Sequence, residues 1–134
     1  MSISFEKALG IHDSALILRS QRASVLANNL ANADTPNFKA RDIDFQQLLK
    51  DRMRLQSDTI AMAATHARHQ PGALQADDSQ LLYRTPQQAS VDGNTVEEQV
   101  EHAEFMQNTL AYQASFEFLN STFKGLKTAI RGEL

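Results

Sequence analysis

The sequence predicts a mainly α fold. Long N- and C-terminal helices pack as an antiparallel, coiled-coil-like pair, and an irregular middle region holds one short helix and a little extended structure. Three observations carry this expectation. All three prolines, Pro36, Pro71 and Pro86, lie between Asp34 and Asn94, so neither end of the chain is interrupted by one. Both ends are rich in Ala, Leu, Gln, Glu and Arg, which lose little freedom in a helix. Both ends also space apolar residues three and four apart, as a helical stripe requires.

The chain divides into an N-terminal helix within 1–33, a middle region over 34–94 and a C-terminal helix within 95–134. Gly10 is a weak point near the start of the first helix. Asn28, Asn29 and Asn32 surround its end, so at least one of them must face the apolar seam. An asparagine there can satisfy terminal carbonyls or a neighbour's backbone. Asp34 and Thr35 suit a turn before Pro36, after which Phe38, Ile43 and Phe45 fold the chain back onto the helices. A short helix follows over 45–55, with Asp44 as its N-cap, Gln47 three residues on, and Leu48, Leu49, Met53 and Leu55 as apolar contacts. The pattern fades into a loop over 57–80, and 81–91 reads as extended because Pro86 stops a helix there. Asp92-Gly93 marks a turn, and Thr95 with Glu98 fits a capping box for the last helix. Only Gly125 interrupts that helix, whose ~36 residues at ~1.5 Å each would span ~54 Å.

Both terminal helices are apolar on two sides. Phe105, Tyr112, Phe116, Leu119, Phe123, Leu126 and Ile130 form one stripe of the last helix, with Thr109 as its polar member. Val96, Val100, Ala103, Leu110, Ala114 and Phe118 lie opposite. In the first helix Phe5, Leu9, Leu16, Ala23, Ala27 and Leu30 share one side, and Ile11, Leu18 and Val25 the other. We expect Phe105, Tyr112, Phe116, Leu119 and Leu126 to meet Leu16, Ala23 and Leu30 within the chain. Ile11, Leu18, Val25, Val100, Leu110 and Phe118 would then meet neighbouring copies; the reverse assignment stays open. Burying a large side chain yields ~1.5–3 kcal/mol, while ordering each residue costs ~1–2 kcal/mol, so a single seam does not sustain a helix this long.

A net charge of −3 with no basic run argues against nucleic acid or an anionic membrane as partner. No cysteine is present, so disulfides and thiolate metal sites are excluded. No run of about 18 apolar residues spans a bilayer. The N-terminus lacks the apolar core of a secretory signal, so a chain that leaves the cytoplasm would need another route. His66 and His69 lack a third ligand at fixed spacing and read as solvent-exposed. Asp42 is expected to pair with Arg41 or Lys39 at the surface, beside the Asp44 cap. No nucleophile motif or phosphate-binding loop appears, so no enzyme, metal or cofactor is expected.

The stretch "NNLANADTPNFKARDIDF" closely resembles the N-terminal signature of flagellar rod and hook proteins, the axial family. Its Thr-Pro-Asn-Phe and Ala-Arg-Asp-Ile-Asp-Phe segments are similar to the proximal-rod version. "LLYR" and "SVDGNTVEEQVE" resemble the lead into that version's last helix. The match is strong over Ala27–Phe45 and Val91–Glu98, fair along both helices, and absent from Ser57 to Gln80. The resemblance implies a structural subunit of the basal body rod, polymerising through its terminal helices into the torque-transmitting drive shaft. Asn28, Asn29, Leu30, Asn32, Thr35, Pro36, Phe38, Arg41, Asp42 and Phe45 would dock between protomers. Implied partners are further copies, neighbouring rod proteins such as FlgC, FlgF or FlgG, and FliE with the export gate. The implied location is the periplasmic rod, reached through the flagellar type III apparatus without a cleaved signal. Lack of cysteine suits a chain threaded unfolded into an oxidising compartment. The alternatives are a FlgC-like rod subunit or a helical adaptor that does not polymerise.

Overall fold

A computed structural model describes residues 9–57, 81–88 and 90–132. Helix α1 spans His12–Ala31, strand β1 Arg41–Ile43, helix α2 Phe45–Ser57, strand β2 Leu81–Tyr83 and helix α3 Glu98–Arg131. Phe5, His66, His69 and the expected loop from residue 58 onward lie outside the described residues.

Gly10 takes a φ of 64°, a left-handed turn that a continuous helix does not contain, and α1 starts two residues later. Within α3 Gly125 is absorbed, because the helix runs on to Arg131. Gly132 then ends it at φ 67°, donating its N–H to Thr128 O at 3.0 Å. At the other end the expected capping box does not form. The Thr95 hydroxyl accepts the Ala40 N–H at 2.8 Å, and the Thr95 N–H donates to Phe38 O at 3.0 Å. Thr95 is thus tied to the middle region, Glu98 stays exposed, and the helix begins at Glu98. Asp44 does cap α2, its Oδ1 accepting the Gln47 N–H at 3.0 Å. The Gln47 side chain turns forward to Asp51 instead of back to the cap.

Contacts between α1 and α3 run in opposite order along the two helices. Asn29 meets Glu101, Arg22 meets Glu104, Asn108 meets Arg19, and the His12 ring lies 5.3 Å from that of Phe118. The pair is therefore antiparallel. Strands β1 and β2 pair antiparallel with Arg41 opposite Tyr83, Asp42 opposite Leu82 and Ile43 opposite Leu81. The Arg84 N–H extends the ladder to Ala40 O at 2.9 Å. This small sheet packs on α1.

The seam is not the one expected. Among the described residues the buried apolar side chains are Ala15, Leu18, Leu26 and Ala40. Leu18, assigned to neighbouring copies, is 2 % exposed inside the chain. From α3 the buried contributions are Glu101, Asn108 and Ser115, seven residues apart, while Tyr112, Phe116 and Leu126 are exposed. Phe105 and Leu119 are half-buried, as are Ile11, Leu16, Ala23, Val25, Leu30 and Val100. The cause lies in α1, whose inner stripe contains Arg22 and Asn29 between its leucines. Facing these with aromatic side chains would leave partly buried donors unpaired, at about 1–3 kcal/mol each. Turning the polar row of α3 inward pairs them and leaves the aromatic rows outside.

Candidate docking site around a buried ion-pair cluster

The asparagine-rich end of α1 separates into three roles. Asn29 is buried, donates Nδ2–H to Arg41 O at 2.7 Å and to Glu101 Oε2 at 3.1 Å, and accepts the Arg41 N–H at 3.1 Å. It pairs with β1 as a strand neighbour would. Asn32 acts locally, donating to Asn28 O at 2.8 Å and accepting the Thr35 hydroxyl at 3.2 Å. Asn28 is exposed.

The carbonyls beyond α1 are met from far along the chain. Asn94, 5 % exposed, points Nδ2 at the oxygens of Asn32, Ala33 and Thr35, at 3.1, 2.6 and 3.1 Å. Its Oδ1 accepts the Val96 N–H at 2.8 Å. Two turns therefore close face to face. Asn37, at φ 61°, donates its N–H to Asp92 O at 3.0 Å, and Gly93, at φ 73°, lies against it. A Cβ on Gly93 would come within 2.7 Å of Asn37 Oδ1. Lys39 Nζ donates to Gly93 O at 2.6 Å. Hydrogen bonds from the Ser90 hydroxyl and the Asn94 N–H hold the Asp92 carboxyl below the usual range.

The ion-pair cluster is built on Asp42. Arg22 grips it with a two-pronged fork, Nε to Oδ1 at 2.9 Å and Nη2 to Oδ2 at 2.8 Å, and Nη2 also reaches Glu104 Oε2 at 2.8 Å. Arg84 donates Nη2 to Asp42 Oδ2 and Nη1 to Glu101 Oε1, the latter at 2.9 Å. The Glu101 side chain is fully buried. Two guanidiniums thus join three carboxylates across α1, β1, the end of β2 and α3. Burial opposes charge on Asp42, but hydrogen bonds from Arg22, the Ile43 N–H and Arg84 outweigh it and depress its pKa. The same bond to Asp42 raises the pKa of Arg22. The expectation that Asp42 pairs with Arg41 or Lys39 is therefore wrong. Arg41 is exposed and alternates to the other face of the strand, and Lys39 reaches Gly93.

Of the residues expected to dock between protomers, Asn29 and Asp42 are engaged within the chain. Phe45 is half-buried under the Arg19 guanidinium, 4.2 Å from its ring centre, and Leu30 and Phe38 are half-buried. Asn28, Thr35, Pro36 and Arg41 are exposed. Sequence reasoning missed Arg22, Arg84, Asn94, Glu101, Glu104 and Asn108. Glu101, Asn108 and Ser115 recur every seven residues inside an apolar helix, as do Arg22 and Asn29, and that period was the available signal.

No group of His, Asp and Glu among the described residues could hold a metal ion. The charges of Arg22, Arg84, Asp42, Glu101 and Glu104 are occupied by one another, and the arrangement locks two helices with a polar clasp. The family described as flagella basal body rod protein matches residues 9–39, which comprise α1 and its asparagine turn. A flagellar basal body rod protein FlgB from Aeromonas hydrophila is 51 % identical over 135 residues, covering 99 % of both chains. One from Cereibacter sphaeroides is 46 % identical over 96 % of this chain and 98 % of its own. One from Salmonella typhimurium is 42 % identical over 95 % of each. The chain belongs to the FlgB family of flagellar basal body rod proteins, structural subunits of the rod.

Proposed function

We propose that this rod subunit polymerises through its two terminal helices into the proximal part of the axial drive shaft and carries no reaction of its own. It stacks with further copies and with neighbouring rod proteins such as FlgC, FlgF or FlgG, and it sits beside FliE and the export gate. It reaches the periplasm through the flagellar export apparatus. The observation that carries this reading is the outer surface of α3, where Met106, Leu110, Phe116 and Phe118 are each more than half exposed. Covering the exposed part of four such side chains, a little over half of each, yields on the order of 4–7 kcal/mol before the costs of association. Contacts made by unlike faces of one chain build an open helical filament wherever the rotation between neighbours does not close into a ring. Asn28, Thr35 and Arg41 are exposed beside the clasp and supply the polar part of the contact, with exposed Pro36 among them. The clasp itself keeps each protomer's helix pair in register while torque passes along the rod.

Sedimentation of the purified chain at rising concentration, alone and with a neighbouring rod protein, tests the reading. Growing polymers are expected from the unmodified chain. Leu110→Asp combined with Phe116→Asp should remain monomeric with an unchanged far-ultraviolet circular dichroism spectrum. A single complex of fixed stoichiometry that never grows would replace the filament subunit with an adaptor.

A further inference from the structure

Covering the outer row of α3 buries a charge along with its apolar side chains. Between Glu104 and Lys124 the one charged residue of that helix is Glu117. It stands between Phe116 and Phe118, which are 52 % and 59 % exposed. Glu117 is itself exposed and makes no ion pair or hydrogen bond among the described residues. A carboxylate covered without a cation is left uncompensated, so whatever covers this row must bring one.

A cation of the right setting lies at the other end of the molecule. A cleft of about 210 Å³ between α1 and the small sheet is lined by Ser24, Val25, Asn28, Asn29, Arg41 and Leu81. Arg41 carries the only charge in that lining. Its backbone is held by Asn29, while its guanidinium is exposed and makes no ion pair or hydrogen bond among the described residues. Half-buried Val25 and Leu81 give the cleft an apolar wall. Tyr83, directly opposite Arg41 in the ladder and 71 % exposed, extends that wall on the same face. The remaining cations are placed differently. Lys39 is bonded to Gly93 O, Lys50 and Arg54 lie on α2 with Asp51, and Lys124, Lys127 and Arg131 follow Glu117 on α3 itself.

Arg41 and Glu117 cannot meet within one chain. Arg41 is tied through Asn29 to Glu101. From Glu101 to Glu117 the helix rises roughly 24 Å at ~1.5 Å per residue, more than the two side chains span together. We propose that Arg41 of one copy pairs with Glu117 of a second copy, whose Phe116 and Phe118 rest against the wall formed by Val25, Leu81 and Tyr83. The pairing rests on the self-assembly proposed above and adds which surface of the next subunit receives the outer row of α3. Because cation and carboxylate lie on different elements of one chain, a copy whose Glu117 is engaged still offers its Arg41 to another.

Sedimentation of the full chain reads the pairing. Arg41→Glu alone and Glu117→Arg alone set like charges against each other and should each weaken self-association about tenfold, with an unchanged far-ultraviolet circular dichroism spectrum. The double variant restores opposite charges and should return to within about threefold of the unmodified chain. Single variants that associate as the unmodified chain does, or a double variant as weak as its singles combined, overturn the pairing and leave the assembly reading standing. An unmodified chain that never associates overturns both. A second arm uses the absence of native cysteine. Asn28→Cys, in the cleft, and Gln113→Cys, one turn before Glu117, are made in separate chains, mixed and treated with glutathione disulfide. Covalent dimers from the mixture well above those from either variant alone are expected. Equal yields from Gln113→Cys alone would mean that like faces meet, and overturn the pairing.

Discussion

Replacing Arg84 by methionine should destabilise this protein about as much as truncating a buried leucine of its small core, Leu18 or Leu26, to alanine. Arg84 donates to Glu101 at 2.9 Å and to Asp42, and its side chain is 20 % exposed. Without it Asp42 keeps the Arg22 fork and the Ile43 N–H, but the fully buried Glu101 side chain keeps only Asn29 Nδ2, at 3.1 Å. Removing one partner of a buried pair costs about 3–5 kcal/mol because a charge is left uncompensated, and the partial exposure of Arg84 puts the expected loss near 3 kcal/mol. Urea unfolding followed by circular dichroism would show a midpoint lower by roughly 2 M for a slope of ~1.5 kcal/mol/M. The decisive comparison is the double variant with Glu101→Leu, which removes the stranded charge. It should regain about 2 kcal/mol over Arg84→Met alone. A loss below about 1 kcal/mol for Arg84→Met, or a double variant equal to the sum of its singles, would refute the claim that the clasp acts as a coupled unit.

Acid should open the same clasp. Asp42 has a folded-state pKa below its unfolded value, so its contribution is complete above about pH 4 and is lost as pH falls through the depressed value. Thermal melts should fall in that acid window, and Asp42→Asn should flatten the fall; an unchanged pH slope would disprove the assignment. Gly93→Ala should cost about 2 kcal/mol, from left-handed backbone at φ 73° and from the 2.7 Å approach to Asn37 Oδ1. Adding Asn37→Gly should recover the steric share and leave the backbone share, as read by melting temperature.

Much of the fold was legible in residues that act through their own neighbours in sequence. Asp44 precedes a helical pattern and caps it, and the run from Glu98 to Arg131 is one helix because only Gly125 opposes that state. The three asparagines marked an unusual helix end, and one of them does turn inward. What failed were expectations whose outcome depended on a distant partner. Thr95 had a good local capping sequence, yet Ala40 N–H and Phe38 O offered competing bonds that no spacing rule contains. Asp42 had two cations close by in sequence and chose two from elsewhere, because the strand turns its side chain toward α1.

By itself the sequence determined that this chain forms two long helices with more apolar surface than one seam can use, joined by a motif that folds back over a helix end. Helical periodicity and local turn chemistry are short-range properties, and they are written along the chain. Only the tertiary structure decided which face of α3 turns inward. That choice belongs to the buried Arg22 and Asn29, whose hydrogen bonds must be made wherever the helices meet, so polar Glu101 and Asn108 occupy the seam and Phe116 and Phe118 the outside.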